Sequence, residues 1–146
     1  MINPEGKIHS RLALEHLTRV KPEGSDGERG VVIMVASEVA YGGRMAQVAY
    51  AASKGAVCSM TLPLARDLAR HNIRVVTISP ATFTTPLTDT FSKRVHKGLL
   101  DTGVLFPRRY GTPEEFAGTV KWVLDCPYVN GEVIRLTGGG RIPTRL

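Results

Sequence analysis

The sequence predicts an α/β domain built on a parallel sheet with flanking helices, and two observations carry that expectation. Val31–Ala36 and Ile73–Ser79 are apolar runs without polar alternation, which is how strands buried on both faces read. Helix-type and strand-type segments then alternate along the chain, the pattern of parallel strands joined by helical crossovers, which should be right-handed.

Each element has its own justification. From Lys7 to Val20 the apolar residues Ile8, Leu12, Leu14, Leu17 and Val20 recur at helical spacing. Lys21–Gly30, rich in Pro, Gly, Ser and Asp, reads as a loop. The strand Val31–Ala36 follows, and Ser37 closes it. Beyond a loop containing Gly42 and Gly43, residues 47–69 read as a helix that Gly55 weakens and Pro63 should kink. Ile73–Ser79 is the second strand, ended by Pro80. Ala81–Arg109 reads as irregular, with one short helix near Phe91–Leu100. Thr112-Pro113-Glu114-Glu115 marks a helix start: Thr112 is the N-cap, Pro113 suits the first helical position, and Glu115 completes a capping box. That helix runs to about Leu124, where Cys126-Pro127 ends it, and Glu132–Leu136 is a last short strand before Gly138-Gly139-Gly140. No repeat or low-complexity segment divides the chain, so residues 1–146 read as a single domain.

Composition removes several classes of function. Hydrophobic residues make up 42% of the chain and charged residues 22%, ordinary values for a globular protein. No apolar run is long enough to span a bilayer, so no membrane partner is expected. Met1–Arg11 has neither an apolar signal region nor the Arg-rich character of a transit peptide. Cys58 and Cys126 lie in apolar surroundings without metal-type spacing and read as reduced, packed cysteines. His9, His16, His71 and His96 are scattered and read as surface residues, so no metal is expected. The net charge of +6 is spread along the chain, with only pairs such as Arg108-Arg109 clustered. It reads as a solvated basic surface, although RNA or an anionic substrate stays open as a partner.

One constellation carries chemistry. Tyr50 and Lys54 are four residues apart, so on a helix they share a face one turn apart. A phenol is a poor base at neutral pH, and a neighbouring ammonium favours its phenolate, which makes the pair a candidate general acid/base. Ser37 ends its strand at the carboxyl end of the sheet, where open α/β sheets bind ligands. Its hydroxyl could hold a substrate oxygen beside Tyr50. A Y-x-x-x-K pair or a strand-ending serine is weak by itself; their combination thirteen residues apart across a Gly-containing loop is far more specific.

Val31-Val32-Ile33-Met34-Val35-Ala36-Ser37 and Tyr50-Ala51-Ala52-Ser53-Lys54-Gly55 resemble the active-site segment of the short-chain dehydrogenases/reductases. Met60–Ala69, Phe106-Pro107-Arg108-Arg109 and Asn130–Leu136 resemble the branch of that family acting on 3-hydroxyacyl-CoA and hydroxysteroids, and the likeness covers nearly all of the chain from Gly30 onward. The resemblance implies Tyr50 as catalytic acid/base, Lys54 as the residue that holds the nicotinamide ribose, and Ser37 as the group that steadies the substrate oxygen. It implies Asn3, within Asn3-Pro4-Glu5-Gly6, as the family's fourth catalytic residue, although Pro4 is awkward in a helix. Phe83 and Thr85 fall on cofactor-contacting positions, so the cofactor-binding set is Tyr50, Lys54, Phe83 and Thr85. Ala81 replaces the family's usual turn glycine, and if that turn needs positive φ the loop is misplaced. Thr137 stands where relatives continue into Asp-Gly.

The resemblance also implies what the chain lacks. A dinucleotide site needs a Gly-rich turn after the first strand, and none precedes Val31. The expected fold is therefore a partial Rossmann-type parallel sheet with flanking helices, lacking the N-terminal dinucleotide-binding half, and one long sheet edge should be exposed. The implied cofactor is NAD, the substrate an acyl-CoA or a steroid, and the setting mitochondrial. A homo-oligomer should form through the helices near 7–20 and 47–69. Three readings stand: an NAD-dependent oxidoreductase interconverting a secondary alcohol and a ketone, an inactive truncated form of it, or a non-catalytic scaffold binding protein or RNA.

Overall fold

A computed structural model describes residues 13–141. Residues 13–17 are helical and residues 18–20 form a turn, so the helix expected over Lys7–Val20 stops at Leu17; residues 7–12 of that expectation lie outside the described residues. The named elements follow as strand β1 (Gly30–Val35), helices α1 (Val39–Gly42) and α2 (Val48–Ala69), and strand β2 (Ile73–Pro80). Helices α3 (Pro86–Asp89), α4 (Lys93–Thr102) and α5 (Pro113–Asp125) and strand β3 (Val133–Leu136) complete the order.

The three strands form one sheet in the order β1-β2-β3. Both pairings are parallel, with Val31 opposite Arg74 and Val35 opposite Ile78 on one side of β2, and Thr77 opposite Val133 and Pro80 opposite Leu136 on the other. The partial, parallel, helix-flanked sheet is therefore the one expected. Helix α2 covers one face: Ala65 and Leu68 pack with Ile73 and Val75, and Leu14, Leu17, Val32, Met34 and Leu64 close around them. The Thr61 and Thr77 hydroxyls share a buried hydrogen bond of 2.7 Å beneath that helix. Side chains alternate along a strand, so Arg74, Val76 and Ile78 reach the opposite face. There the Arg74 guanidinium bonds the Val123 carbonyl of α5 at 2.9 Å.

Three expectations need correction. The first strand is not buried on both faces: Val31–Met34 are half-buried and Val35 is 47% exposed, whereas Ile73–Ser79 is buried throughout. The two runs look alike in sequence, but β2 has a strand on each edge and β1, among the described residues, has one on a single edge. Helix α2 runs from Val48 to Ala69 with Pro63 inside it, the span expected over residues 47–69. Ala81–Arg109 holds two helices: the expected one, beginning at Lys93 behind the Ser92 cap, and the unforeseen α3, closed by reciprocal hydrogen bonds between Thr85 and Thr88. His96 is no simple surface residue, because its Nδ1 lies 2.9 Å from the Tyr110 hydroxyl and the two rings stack.

Candidate active site

The carboxyl ends of β1 and β2 open into a cleft of about 620 Å³, within the usual size range of small-molecule sites. Ser37 and Tyr50 both line it. Ser37 reaches it because β1 ends at Val35 and the chain turns at once into α1; its Oγ accepts from the Val39 amide at 3.3 Å. Tyr50 lies in the first turn of α2 and is 44% exposed. Lys54, one turn further, donates from Nζ to the Val35 carbonyl at 3.0 Å. Its ammonium lies 5.8 Å from the centroid of the Tyr50 ring. The side chain of Lys54 thus bridges from the acid/base helix to the strand that delivers Ser37.

The opposite wall is Pro80–Thr85, which includes both predicted cofactor contacts, Phe83 and Thr85. Phe83 packs edge-to-face on Phe116 of α5, with ring centroids 6.0 Å apart. The segment 82–84 is pinned to Gly111, whose amide donates to the Thr82 carbonyl at 3.1 Å and whose carbonyl accepts from Thr84 at 2.9 Å. Gly111 is required there, since a Cβ would stand 2.5 Å from the Phe83 ring. Ala81 is not among the residues with positive φ, and its amide donates to the Leu136 carbonyl at 3.0 Å. The alanine therefore sits in the turn without the strain that a glycine-only conformation would impose. Asn3 lies outside the described residues.

The cleft also contains groups that the sequence did not single out. Arg44 and Gln47 line it, and the buried Gln47 Oε1 has no hydrogen-bond partner among the described residues. Their signal was position alone, since both lie in the loop between Ser37 and Tyr50. Glu38 lines the cleft as well and is only 5% exposed. Burial pushes its carboxyl up to about 7, against the opposing pull of Arg135 and Arg141.

The residues present fit the nicotinamide end of a dinucleotide. Tyr50, Phe83 and Thr85 share the cleft, and the Phe83 amide makes no hydrogen bond among the described residues, so a donor stands ready in the wall. Before β1, the described residues offer no strand followed by a Gly-rich turn and helix to cradle a pyrophosphate.

The pair Arg108-Arg109 is neutralised by acids: Arg108 meets Asp101 at 3.1 Å and Arg109 meets Glu115 at 2.7 Å. Hydrogen bonds from Arg109, then from the Thr112 amide, hold the Glu115 carboxyl down at about 2. This is a structural clamp at the start of α5. No group of three or more His, Cys, Asp or Glu that could hold a metal occurs among the described residues. Cys58 and Cys126 are both free and half-buried.

A parallel sheet with a serine at a strand end and a Tyr/Lys pair on the following helix defines the short chain dehydrogenases. The model of that family matches residues 8–96, and the chain belongs to it. Within the family, the chain is similar to 3-hydroxyacyl-CoA dehydrogenase type-2. It is 46% identical to the mouse enzyme over 132 residues, covering 90% of this chain and 50% of the relative. The Drosophila melanogaster enzyme of the same name is 44% identical over 141 residues, covering 97% and 55%. The chain therefore spans about half the length of the curated relatives it matches. The crystal structure of the Mycobacterium avium enzyme of that name superposes with a TM-score of 0.86 at 38% identity, over 92% of this chain and 51% of that one. A 7α-hydroxysteroid dehydrogenase solved with NADH and a 7-oxo bile acid superposes with a TM-score of 0.69 at 27% identity, covering 77% and 45%.

Proposed function

We propose that this chain carries the catalytic half of an NAD-dependent oxidoreductase that interconverts a 3-hydroxyacyl-CoA and its 3-oxo form. One observation carries the reading: Ser37 and Tyr50 line a single cleft, and Lys54 ties the helix of one to the strand of the other. The Ser37 hydroxyl orients the substrate oxygen. The Tyr50 phenol moves the proton of that oxygen, with the Lys54 ammonium beside its ring. Tyr50, Lys54, Phe83 and Thr85 would hold the nicotinamide end of the cofactor, which when bound supplies or accepts the hydride.

The charges around the cleft favour the acyl-CoA over a steroid. Arg44 lines it, and Lys93, Arg94 and Lys97 are exposed on α4, whose Leu99 also lines it. None of these four cations is in an ion pair among the described residues. A phosphate-bearing tail would find free positive charge there, and a neutral steroid would not use it. The exposed apolar residues Val48 and Leu62 on α2 support self-association through that helix.

The test is NADH oxidation with a 3-oxoacyl-CoA, alongside calorimetric titration of NAD. Tyr50→Phe should lower turnover about 10²- to 10⁴-fold, the usual contribution of a positioned acid/base. Unchanged activity in that variant would remove Tyr50 from the mechanism. If the chain binds no NAD at millimolar concentration while remaining folded, the catalytic reading gives way to the inactive one.

A further inference from the structure

Ser37 is followed by an acid that the proposed chemistry leaves unused. The Glu38 backbone is held on both sides: its amide donates to the Pro80 carbonyl at 3.0 Å, and its carbonyl accepts from Tyr41 and Gly42 at 2.9 and 3.1 Å. It therefore joins the end of β2 to the turn that presents Ser37. Its side chain is buried, and Oε2 has no hydrogen-bond partner among the described residues.

Arg135 of β3 lies within electrostatic reach, and two of its donors, Nε and Nη2, are also buried without partners. The guanidinium stacks on the Tyr41 ring of α1, 4.6 Å from the centroid. Arg135 is in register with Ser79, whose buried Oγ is a further unpartnered polar atom. Parallel partners in register point to one face, so Ser79 and Arg135 share the face covered by α2. Among the described residues, the charged and titratable groups around Glu38 include Arg135 and Arg141 at the end of the sheet, Arg44 and Tyr50 in the same cleft, Tyr41 on α1 and, beside its hydroxyl, Cys58 on α2. A buried carboxyl and a buried guanidinium that attract without touching form an incomplete ion pair. Its strength is set by whether the carboxyl is charged.

We propose that Glu38 is a positioning residue for Ser37: its attraction to Arg135 across the end of β2 fixes the turn that holds the serine hydroxyl in the cleft. Ionised, Glu38 is drawn toward Arg135 and tightens the segment 37–41. Protonated, it loses that pull and the turn relaxes. Because burial brings its titration close to neutral pH, the placement of Ser37 changes over the range in which the chain would work. The functional consequence rests on the reading of Ser37 given above, whereas the coupling itself does not.

The experiment is an NMR titration of the chain between about pH 5 and pH 8, without cofactor or substrate, following the Ser37 and Val39 amides and the Arg135 Nε–H. A common midpoint near neutrality is expected at all three. Glu38→Gln should abolish it. Arg135→Met should move the Glu38 carboxyl midpoint up, through loss of the charge that lowers it, and shrink the Ser37 response. A Ser37 amide indifferent to pH in the unmodified chain, a measurement that needs no variant, would overturn the proposal. So would a titration that survives Glu38→Gln. If Tyr50→Phe leaves turnover intact while the titration behaves as described, the catalytic reading fails and the coupling stands. In active preparations Glu38→Gln should flatten the neutral limb of the kcat profile while leaving KM for the nucleotide unchanged.

Discussion

Lys54 shows how much one side chain can settle at this site. Its bond to the Val35 carbonyl fixes α2 against the end of β1, and the same ammonium lies beside the Tyr50 ring. Ser37, Tyr50 and Lys54 were legible because helical periodicity and a strand end place them without reference to anything distant. Glu38 was not, since nothing in Ser37-Glu38-Val39 says that a glutamate is buried near an arginine about a hundred residues later. Its titration has a consequence for stability. A carboxyl at about 7 in the folded chain and 4.5 in the unfolded one binds its proton more tightly when folded. Its contribution is therefore fully present below pH 4.5 and is lost as pH rises to about 7. At roughly 1.4 kcal/mol per unit the loss is on the order of 3 kcal/mol. Urea unfolding on either side of that window should show this decline in the unmodified chain, and Glu38→Gln should remove it. Parallel pH curves for the two proteins would contradict the assignment.

Helix α2 combines good signals with one bad residue. Its inner face buries Thr61, Ala65 and Leu68 against the sheet, and this packing holds a 22-residue helix together across Pro63. The helix tolerates Pro63 because tertiary burial outweighs a local cost of about 3 kcal/mol. Pro63 itself is exposed, so the penalty is not offset by any packing of its ring. Pro63→Ala should restore an amide facing the Ser59 carbonyl and raise stability by about 1–3 kcal/mol, read as a higher melting temperature. A lower melting temperature would mean that the proline is needed for the path of the helix. The start of α5 was legible in Thr112-Pro113-Glu114-Glu115, and its capping box is present. The same grammar, Thr85-Pro86 with Thr88 three residues after the cap, starts α3. A helix of four residues has no hydrophobic period, so the capping pattern is its only mark in the sequence.

Across the whole molecule, Arg74 is the residue that ties the distant segments. Its guanidinium forks onto Glu28 at 2.8 and 2.9 Å and bonds the carbonyls of Val123, Cys126 and Val129 at 2.9, 3.4 and 3.0 Å. It thus joins the approach to β1, the end of α5 and the turn into β3 through one buried group. Arg74→Met would leave Glu28 and three carbonyls without their donor, and should cost about 3–5 kcal/mol in urea unfolding. A loss below about 1 kcal/mol would place Arg74 with ordinary surface pairs. At the other side of the sheet, β1 is half-exposed and pairs along one edge only among the described residues. That unpaired edge is a surface open to association.

The sequence by itself determined the parallel order of helix and strand, the start of α5, and the Ser37, Tyr50 and Lys54 constellation. These are encoded by short-range period, capping chemistry and spacing, which any local stretch of chain carries with it. The tertiary structure alone decided that one apolar strand is buried and its near twin is not, and that Glu38 Oε2 and two nitrogens of Arg135 are buried without hydrogen-bond partners among the described residues. Burial and charge pairing depend on which segments meet, and that is a property of the folded chain rather than of any window along it.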